Sequence, residues 1–384
     1  FRSHVISLRF EHRLGNQIDQ SYPPLPDMPY IDDWNQGLPF IAIPDKAHDN
    51  EHSVIQFTLP DPTQPKGFVY CISCYLAIES SKLENHDESI IRNHMQKSLC
   101  AISKVPFNEK FQGIIEKRLK DNFEDLNSIL EDLFNELNDA LQDESSKRYA
   151  AIDCSFMINQ LKGNVLSLIK SLMIGQRILV YANHSEEVSK FCYAIASLFP
   201  GYFYEDEKYP YKFMEDGNNV YSFVPYVPLQ FSDLLNDSKA KSVLMGTCSE
   251  LFLVQPIVKY DILIDNRTTP ATITGKLPKL EENEMKFINS IIELNPNDET
   301  FREKLRYWFD SLFGAFLRIR NINEVPNYIW PFLDLDVVNS FNKDFISSIM
   351  SNPSMIDIVS KCDLSSFPKL EEQILKKQKK PVFS

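Results

Sequence analysis

Short apolar runs alternate with polar and proline-rich punctuation at the start of the chain. "HVISLRFEH" (4–12), "LPFIAIPD" (38–45), "VIQFTLPD" (54–61) and "FVYCISCYLAIE" (68–79) predict strands. Pro23, Pro24, Pro26 and Pro29 make the first connection extended. The period then lengthens. "SIIRNHMQKSLCAISKV" (89–105) and "FNEKFQGIIEKRLKDNF" (107–123) space apolar residues three and four apart, which predicts amphipathic helices. "FEDLNSILEDLFNELNDALQ" (123–142) predicts a third helix with an acidic outer face, and "DESSKR" (143–148) is a polar break.

Beyond the break the elements alternate. A helix at 156–175 leads into a strand at 176–183, a helix at 185–199, a strand at 220–228, a strand and helix within 242–255, and a strand at 260–268. That order is the mark of an α/β layer. An acidic, aromatic stretch between Pro200 and Asn219 reads as a surface insertion. From 280 onward the pattern is helical, and in the segment 299–321 Leu305, Phe309, Leu312, Phe316 and Ile319 share one face. Pro296, Pro326, Pro331 and Pro353 break this region, and no internal repeat is visible.

Composition narrows the function classes. The chain has 384 residues, long for a single core, and is 43% apolar and 24% charged. A formal charge of −13 argues against nucleic acid as a partner, since that needs a basic face. Lys369, Lys376, Lys377, Lys379 and Lys380 make a local basic patch, read as a solvated helix end or as a membrane-surface or partner contact. No apolar run approaches the roughly 18–20 residues that span a bilayer. The chain begins at Phe1 without Met and so reads as processed or trimmed; "FRSHVISLRFEH" reads as a strand, not a signal peptide. Seven scattered cysteines suit reduced thiols and a cytoplasmic location.

Three motifs invite chemistry. Cys71-x-x-Cys74 has the spacing of half a zinc site or a redox pair, but on a strand residues three apart face opposite ways. There is no second CxxC. His48-Asp-Asn-Glu51-His52 fits the H-x-x-E-H of one metallopeptidase class, yet lies in a short connection between strand-like runs, where a helix is required. "GQRILVYANHSEEVSKF" (175–191) has the strand–turn–helix outline of a nucleotide fold, with Ser185 as the expected N-cap. It lacks the glycines that admit phosphate, and Glu186 and Glu187 would repel one. Gly246-Thr247-Cys248-Ser249 fits no nucleophile elbow. No cofactor or metal is expected, and the residues alone describe an acidic α/β protein that works by binding.

Taken in order, "SYPP" (21–24), "LPFIAIPDKAH" (38–48), "FTLPD", "CISCYLAIE" and "QKSLCAISKVPF" (96–107) resemble the upstream module of DENN-domain proteins. The likeness is closest to the Avl-type late-secretory-pathway family. Two departures stand out: Lys46 replaces a usual glycine, and Tyr70 stands where a glycine precedes the CISC run. "SLMIGQRILVYA", "AIASLFPG", "FVPYVPLQFSDLLND" and "SVLMGTCSELFLVQ" are similar to the central DENN module. The resemblance covers about three quarters of the chain and implies an α/β (α+β) fold in three parts. These are a longin-like module at 1–147, a central α/β DENN module at 148–278 and a helical module at 279–384.

The resemblance also implies a function. DENN proteins commonly bind Rab GTPases and promote GDP/GTP exchange by clamping the switch regions. Such catalysis is preferential binding of the nucleotide-free partner and needs no nucleophile. The expectation is therefore a Rab regulator in Golgi-to-plasma-membrane transport, cytoplasmic and peripherally recruited to Golgi or secretory membranes. The alternative is a trafficking adaptor that binds a GTPase or coat component without exchange activity. By resemblance the GTPase would sit between the upstream and central modules. Trp34, in the proline-rich stretch, is an aromatic anchor candidate, and Asp45, Lys46 and His48 lie on an adjacent connection. Each also reads blandly, Trp34 as a loop anchored on its own core and the others as solvated turn residues.

Overall fold

A computed structural model of the chain describes residues 3–25, 31–44, 51–61, 68–83, 94–104, 107, 109–142, 154–199, 223–232, 243–255 and 257–294, with isolated positions between 301 and 352. For residues 31–36, 60, 68, 109, 141, 142 and 283 it describes the backbone alone. The polar break at 143–148, the 201–219 stretch, Phe316, Ile319 and the C-terminal lysines lie outside the described residues.

The first half builds a five-stranded antiparallel sheet. Its strands are β1 (His4–Glu11), β2 (Gly15–Tyr22), β3 (His52–Pro60), β4 (Phe68–Glu79) and β5 (His94–Ser103), in the order β2-β1-β5-β4-β3. The expected strands at 4–12, 54–61 and 68–79 are present. Two readings need correction. The run 38–45 is not a strand: residues Ile31–Ala42 form helix α1, with Pro39 inside it. Leu38, Ile41 and Ala42 fall on one buried face, while Phe40 points outward. That three-to-four spacing prevails although Pro39 lacks a helical N–H.

The 89–105 stretch was expected to be a helix and instead contains β5. Leu99 and Ala101 enter one apolar cluster, while Cys100 and Ile102 enter another across the sheet. A central strand covered on both faces loses its two-residue alternation, and Met95, Leu99 and Ile102 then mimic helical spacing. Helix α1 covers one face of this sheet. Helices α2 (Glu109–Asp121) and α3 (Leu130–Gln142) cover the other, as their amphipathic patterns predict.

The second sheet runs β10-β9-β6-β8-β7, from β6 (Arg177–Tyr181), β7 (Phe223–Val224), β8 (Val243–Thr247), β9 (Ile262–Asp265) and β10 (Thr272–Gly275). β7, β8, β6 and β9 are parallel, and β10 is antiparallel to β9. Of the strand expected at 220–228, Phe223–Val224 form β7, 225–228 are not strand, and 220–222 lie outside the described residues. The helix expected at 156–175 is two, α4 (Ser155–Leu161) and α5 (Asn164–Met173), separated at Lys162 with φ 48°. Helix α6 (Ser185–Ser197) follows β6. Ser185 is its buried first residue and not its N-cap; His184 holds that position without a side-chain cap bond.

Two further helices follow: α7 (Leu251–Val254) after β8, and α8 (Glu282–Ile292) after β10. Ile178, Val180, Leu244 and Ile264 face the large cluster that α5 and α6 share with the first sheet. Leu179 and Met245 face a smaller one with Phe252 and Val258. Phe301, Leu305, Trp308, Phe309 and Leu312 are buried in the large cluster, so the expected face at Leu305, Phe309 and Leu312 does turn inward. The protein is an α/β fold built on two sheets.

Candidate partner-binding seam

The two sheets meet where helix α6 lies along β3, the outer strand of the first sheet. An edge strand exposes backbone N–H and C=O groups that must be paired or covered. Helix α6 supplies the partners. Glu186 Oε2 accepts from Val54 N–H (3.1 Å), and Ser189 Oγ accepts from Gln56 N–H (3.3 Å). Tyr193 Oη donates to the Phe57 carbonyl (3.4 Å), and Thr58 Oγ1 donates to the Phe223 carbonyl (2.8 Å). Lys190 Nζ holds the other Glu186 oxygen at 2.7 Å. Burial raises the Tyr193 phenol well above its ordinary pKa, so it stays a neutral donor.

This pairing explains Glu186 better than repulsion of phosphate does. The carboxylate serves the neighbouring sheet. Its stripe was present in the sequence, because Glu186, Ser189 and Tyr193 recur at three-to-four spacing along one side of the helix. Gly246 of β8 closes the same contact. A Cβ there would lie 2.3 Å from Val188 Cγ1 and 2.5 Å from the Pro225 carbonyl.

Helix α1 sits over the seam. Leu38, Ile41 and Ala42 share a cluster with Ile55 and Phe57 of β3 and with Ala182, Val188, Tyr226 and Cys248 of the second sheet's side. Gly37 lets α1 approach Phe231, whose ring lies 3.3 Å from where a Cβ would stand. The helix end is fixed from below: Ser73 Oγ donates to the Ala42 carbonyl (2.8 Å) and is paired with Ser98 Oγ, and Asn16 Nδ2 donates to the Ile43 carbonyl (3.2 Å). The second half of α1 is therefore a rim contacted by both halves of the molecule.

Trp34 lies on this rim, on helix α1 and not in a loop as the proline-rich context suggests. Its side chain lies outside the described residues, as do Asp45, Lys46 and His48. Beside the rim, the carboxyl ends of the parallel strands carry exposed Asn183 and His184 and half-buried Glu187. Burial raises the Glu187 carboxyl above its usual pKa, and His184 partly offsets this. Asn266 Nδ2 reaches Glu187 Oε1 at 3.4 Å.

The cysteine motif is structural. Cys71 and Cys74 are fully buried in β4, one in each apolar cluster on opposite faces of the sheet, so they cannot grip one metal ion. Burial pushes both thiols well above their ordinary pKa. His52 opens β3, and its Nε2 lies 3.3 Å from Glu116 Oε1 on α2. Among the described residues no group of three or more His, Cys, Asp or Glu is placed to hold a metal ion.

Comparison with known proteins connects this architecture to one family. The family model described as "Transport protein Avl9" matches residues 3–207 and 210–306, which take in both sheets and the seam. "Late secretory pathway protein avl9" of Schizosaccharomyces pombe (strain 972 / ATCC 24843) is 29% identical over 201 residues, covering 51% of this chain and 41% of that protein. "Late secretory pathway protein AVL9" of Saccharomyces cerevisiae (strain ATCC 204508 / S288c) is 21% identical over 407 residues, covering 91% of this chain and 51% of that protein. The chain spans about half the length of these curated relatives.

Proposed function

The chain belongs to the Avl9 transport-protein family, and on that premise we propose that it acts in late secretory vesicle transport as a DENN-type regulator of Rab GTPases, promoting exchange of GDP for GTP. The observation that carries the reading is the match to the family over both sheets and the seam, joined to relatives that bear a late-secretory name. The geometry agrees with it. An exchange factor works by holding its partner best in the nucleotide-free state, which calls for a stiff surface on two bodies of fixed mutual position. The α6–β3 seam supplies that fixity, and α1, carrying Trp34, supplies a rim.

Recruitment to Golgi or secretory membranes belongs to the same proposal and would be peripheral. Among the described residues no helix is long and apolar enough to cross a membrane.

The test is release of fluorescent GDP from purified Rab GTPases, with and without the protein. Concentration-dependent acceleration for one or two Rabs is expected. Binding to a Rab without acceleration would replace exchange by the adaptor reading, and a panel with neither binding nor acceleration would overturn the GTPase assignment.

A further inference from the structure

Among the described residues five large apolar side chains are exposed, and two of them, Leu251 (40%) and Val254 (73%), belong to the single turn of helix α7. The others, Leu14, Phe40 and Met285, stand on separate elements. Isolated exposed apolar residues are ordinary, but two on one turn make a ridge. Its core-facing member, Phe252, is buried against the smaller cluster of the second sheet, so the turn is anchored and the ridge is held outward.

The ridge borders an acceptor-rich edge. Glu250 precedes α7 and lies near enough to Tyr181 and Arg267 to act on both electrostatically. The Arg267 guanidinium lies 5.0 Å from the Tyr181 ring centroid, and Asp265 clasps it through Nε (2.9 Å) and Nη2 (2.6 Å). Behind this rim, Tyr181 Oη and Asn266 Oδ1 are buried with no hydrogen-bond partner among the described residues, and Asn266 is only 4% exposed. The Asn266 amide nitrogen meets Glu187, so its orphaned oxygen belongs to the same cluster. Three carboxylates, Glu187, Glu250 and Asp265, thus stand against the single guanidinium of Arg267, with the His184 ring beside Glu187. The orphaned Asn266 oxygen calls for a donor, and the Tyr181 hydroxyl can accept one as well as donate. In a parallel sheet the crevice at the strand carboxyl ends is the usual place for a ligand, and here its charge suits a cation in place of a phosphate.

We propose that Glu250 to Val254, with the Asp265–Arg267 rim, forms a docking surface for a protein partner that presents a basic side chain beside an apolar one. Leu251 and Val254 receive the apolar group, and Glu250 receives the ammonium or guanidinium. The surface deepens the GTPase reading and rests on it for the partner's identity. Its chemistry is distinct from that of the α1 rim.

The test compares the full chain with Val254→Glu, Glu250→Arg and the control Leu14→Glu, all at exposed positions, for affinity to every Rab of the panel. Where the wild type binds a Rab, both edge variants should weaken it by about tenfold or more, as truncation of interface anchors does, with the control unchanged. Unchanged affinity in the edge variants overturns the surface and leaves the GTPase reading standing. If no Rab binds, that reading fails by itself. The surface is then judged with arginine ethyl ester, titrated into chain carrying isotope-labelled asparagine. A saturable shift of the Asn266 side-chain signal, lost in Glu250→Arg, supports the surface; no shift overturns it. Self-association of the wild type that Val254→Glu abolishes would assign the ridge to a second copy and overturn the proposal of a separate partner.

Discussion

At the seam, α6 brings side-chain partners to the backbone of β3; elsewhere on the same sheet unit, Lys170 of α5 meets Glu284 of α8 in a buried ion pair. Both join elements distant in sequence through polar groups, but the physical demand differs. The β3 amides are obligatory donors, since every residue of an edge strand except proline carries one whatever its side chain. Some acceptor must therefore come from α6 or from water. Lys170 and Glu284 are both side chains, each 1% exposed, and the chain could have placed apolar residues there. Nζ of Lys170 lies 2.6 Å from Glu284 Oε2, donates to the Lys279 carbonyl (3.2 Å) and stands 4.3 Å from the Phe345 ring centroid. The same Glu284 oxygen accepts the Glu281 N–H at 2.9 Å, closing the capping box of α8. The ion pair thus specifies how the helices register, while the seam contacts satisfy a debt of the backbone.

The comparison breaks most sharply at the pair. Lys170→Met leaves an uncompensated buried carboxylate and should lower unfolding free energy by about 3–5 kcal/mol in a urea titration. Adding Glu284→Gln, which keeps an oxygen for the Glu281 N–H, should restore most of that. A double variant as unstable as the single one would show that the pair contributes net stability after all.

At the seam the next largest effect belongs to packing. Gly246→Ala forces a methyl to within 2.5 Å of the Pro225 carbonyl, a backbone atom with little room to yield. The expected loss is about 1–3 kcal/mol, in the usual range for overpacking. Trimming Val188 to Ala in the same chain should recover only part of it, because the carbonyl remains. Full recovery would place the whole conflict on the Val188 side chain.

Glu186→Ala tests the debt of the backbone directly. Loss of the acceptor for a buried amide should cost about 1–3 kcal/mol, and Glu186→Gln should cost less because it retains an acceptor oxygen. Amide hydrogen exchange at Val54 should rise in the alanine variant before exchange in β4 does. Equal exchange in both variants and the wild type would mean that the edge strand is satisfied in another way.

The smallest expected effect is a pH dependence away from both contacts. His4 is buried in β1, and burial lowers its pKa below 6.5 despite its hydrogen bond to the Pro23 carbonyl (3.0 Å). A histidine with a lowered folded pKa binds fewer protons when folded than when unfolded. Stability is therefore full above about pH 6.5 and declines as pH falls toward the folded pKa. Chemical denaturation between neutral and mildly acidic pH should show that decline, and His4→Gln should flatten it.

Much of this was legible along the chain, and for identifiable reasons. β1, β3 and β4 showed as alternating or strongly β-forming runs, α2 and α3 as amphipathic repeats, and the second sheet as strand and helix in turn. The placement of Cys71 and Cys74 on opposite faces followed from strand geometry alone. The polar strands β2 and β10 carried too little apolar signal to be seen. Helix α1 was hidden by Pro39, and β5 by burial on both faces.

The candidate site was less legible than the fold. Motifs for self-contained chemistry could be weighed residue by residue, and family resemblance could be read from short runs. The seam could not be read that way, because Glu186 and Val54 are 132 positions apart and Ser189 and Gln56 are 133. The sequence by itself determined which segments bury an apolar face and with what period, since both are local properties of side-chain order. Only the tertiary structure decided which strand became an edge and which helix answered its open amides, because those pairings depend on where distant segments meet in space.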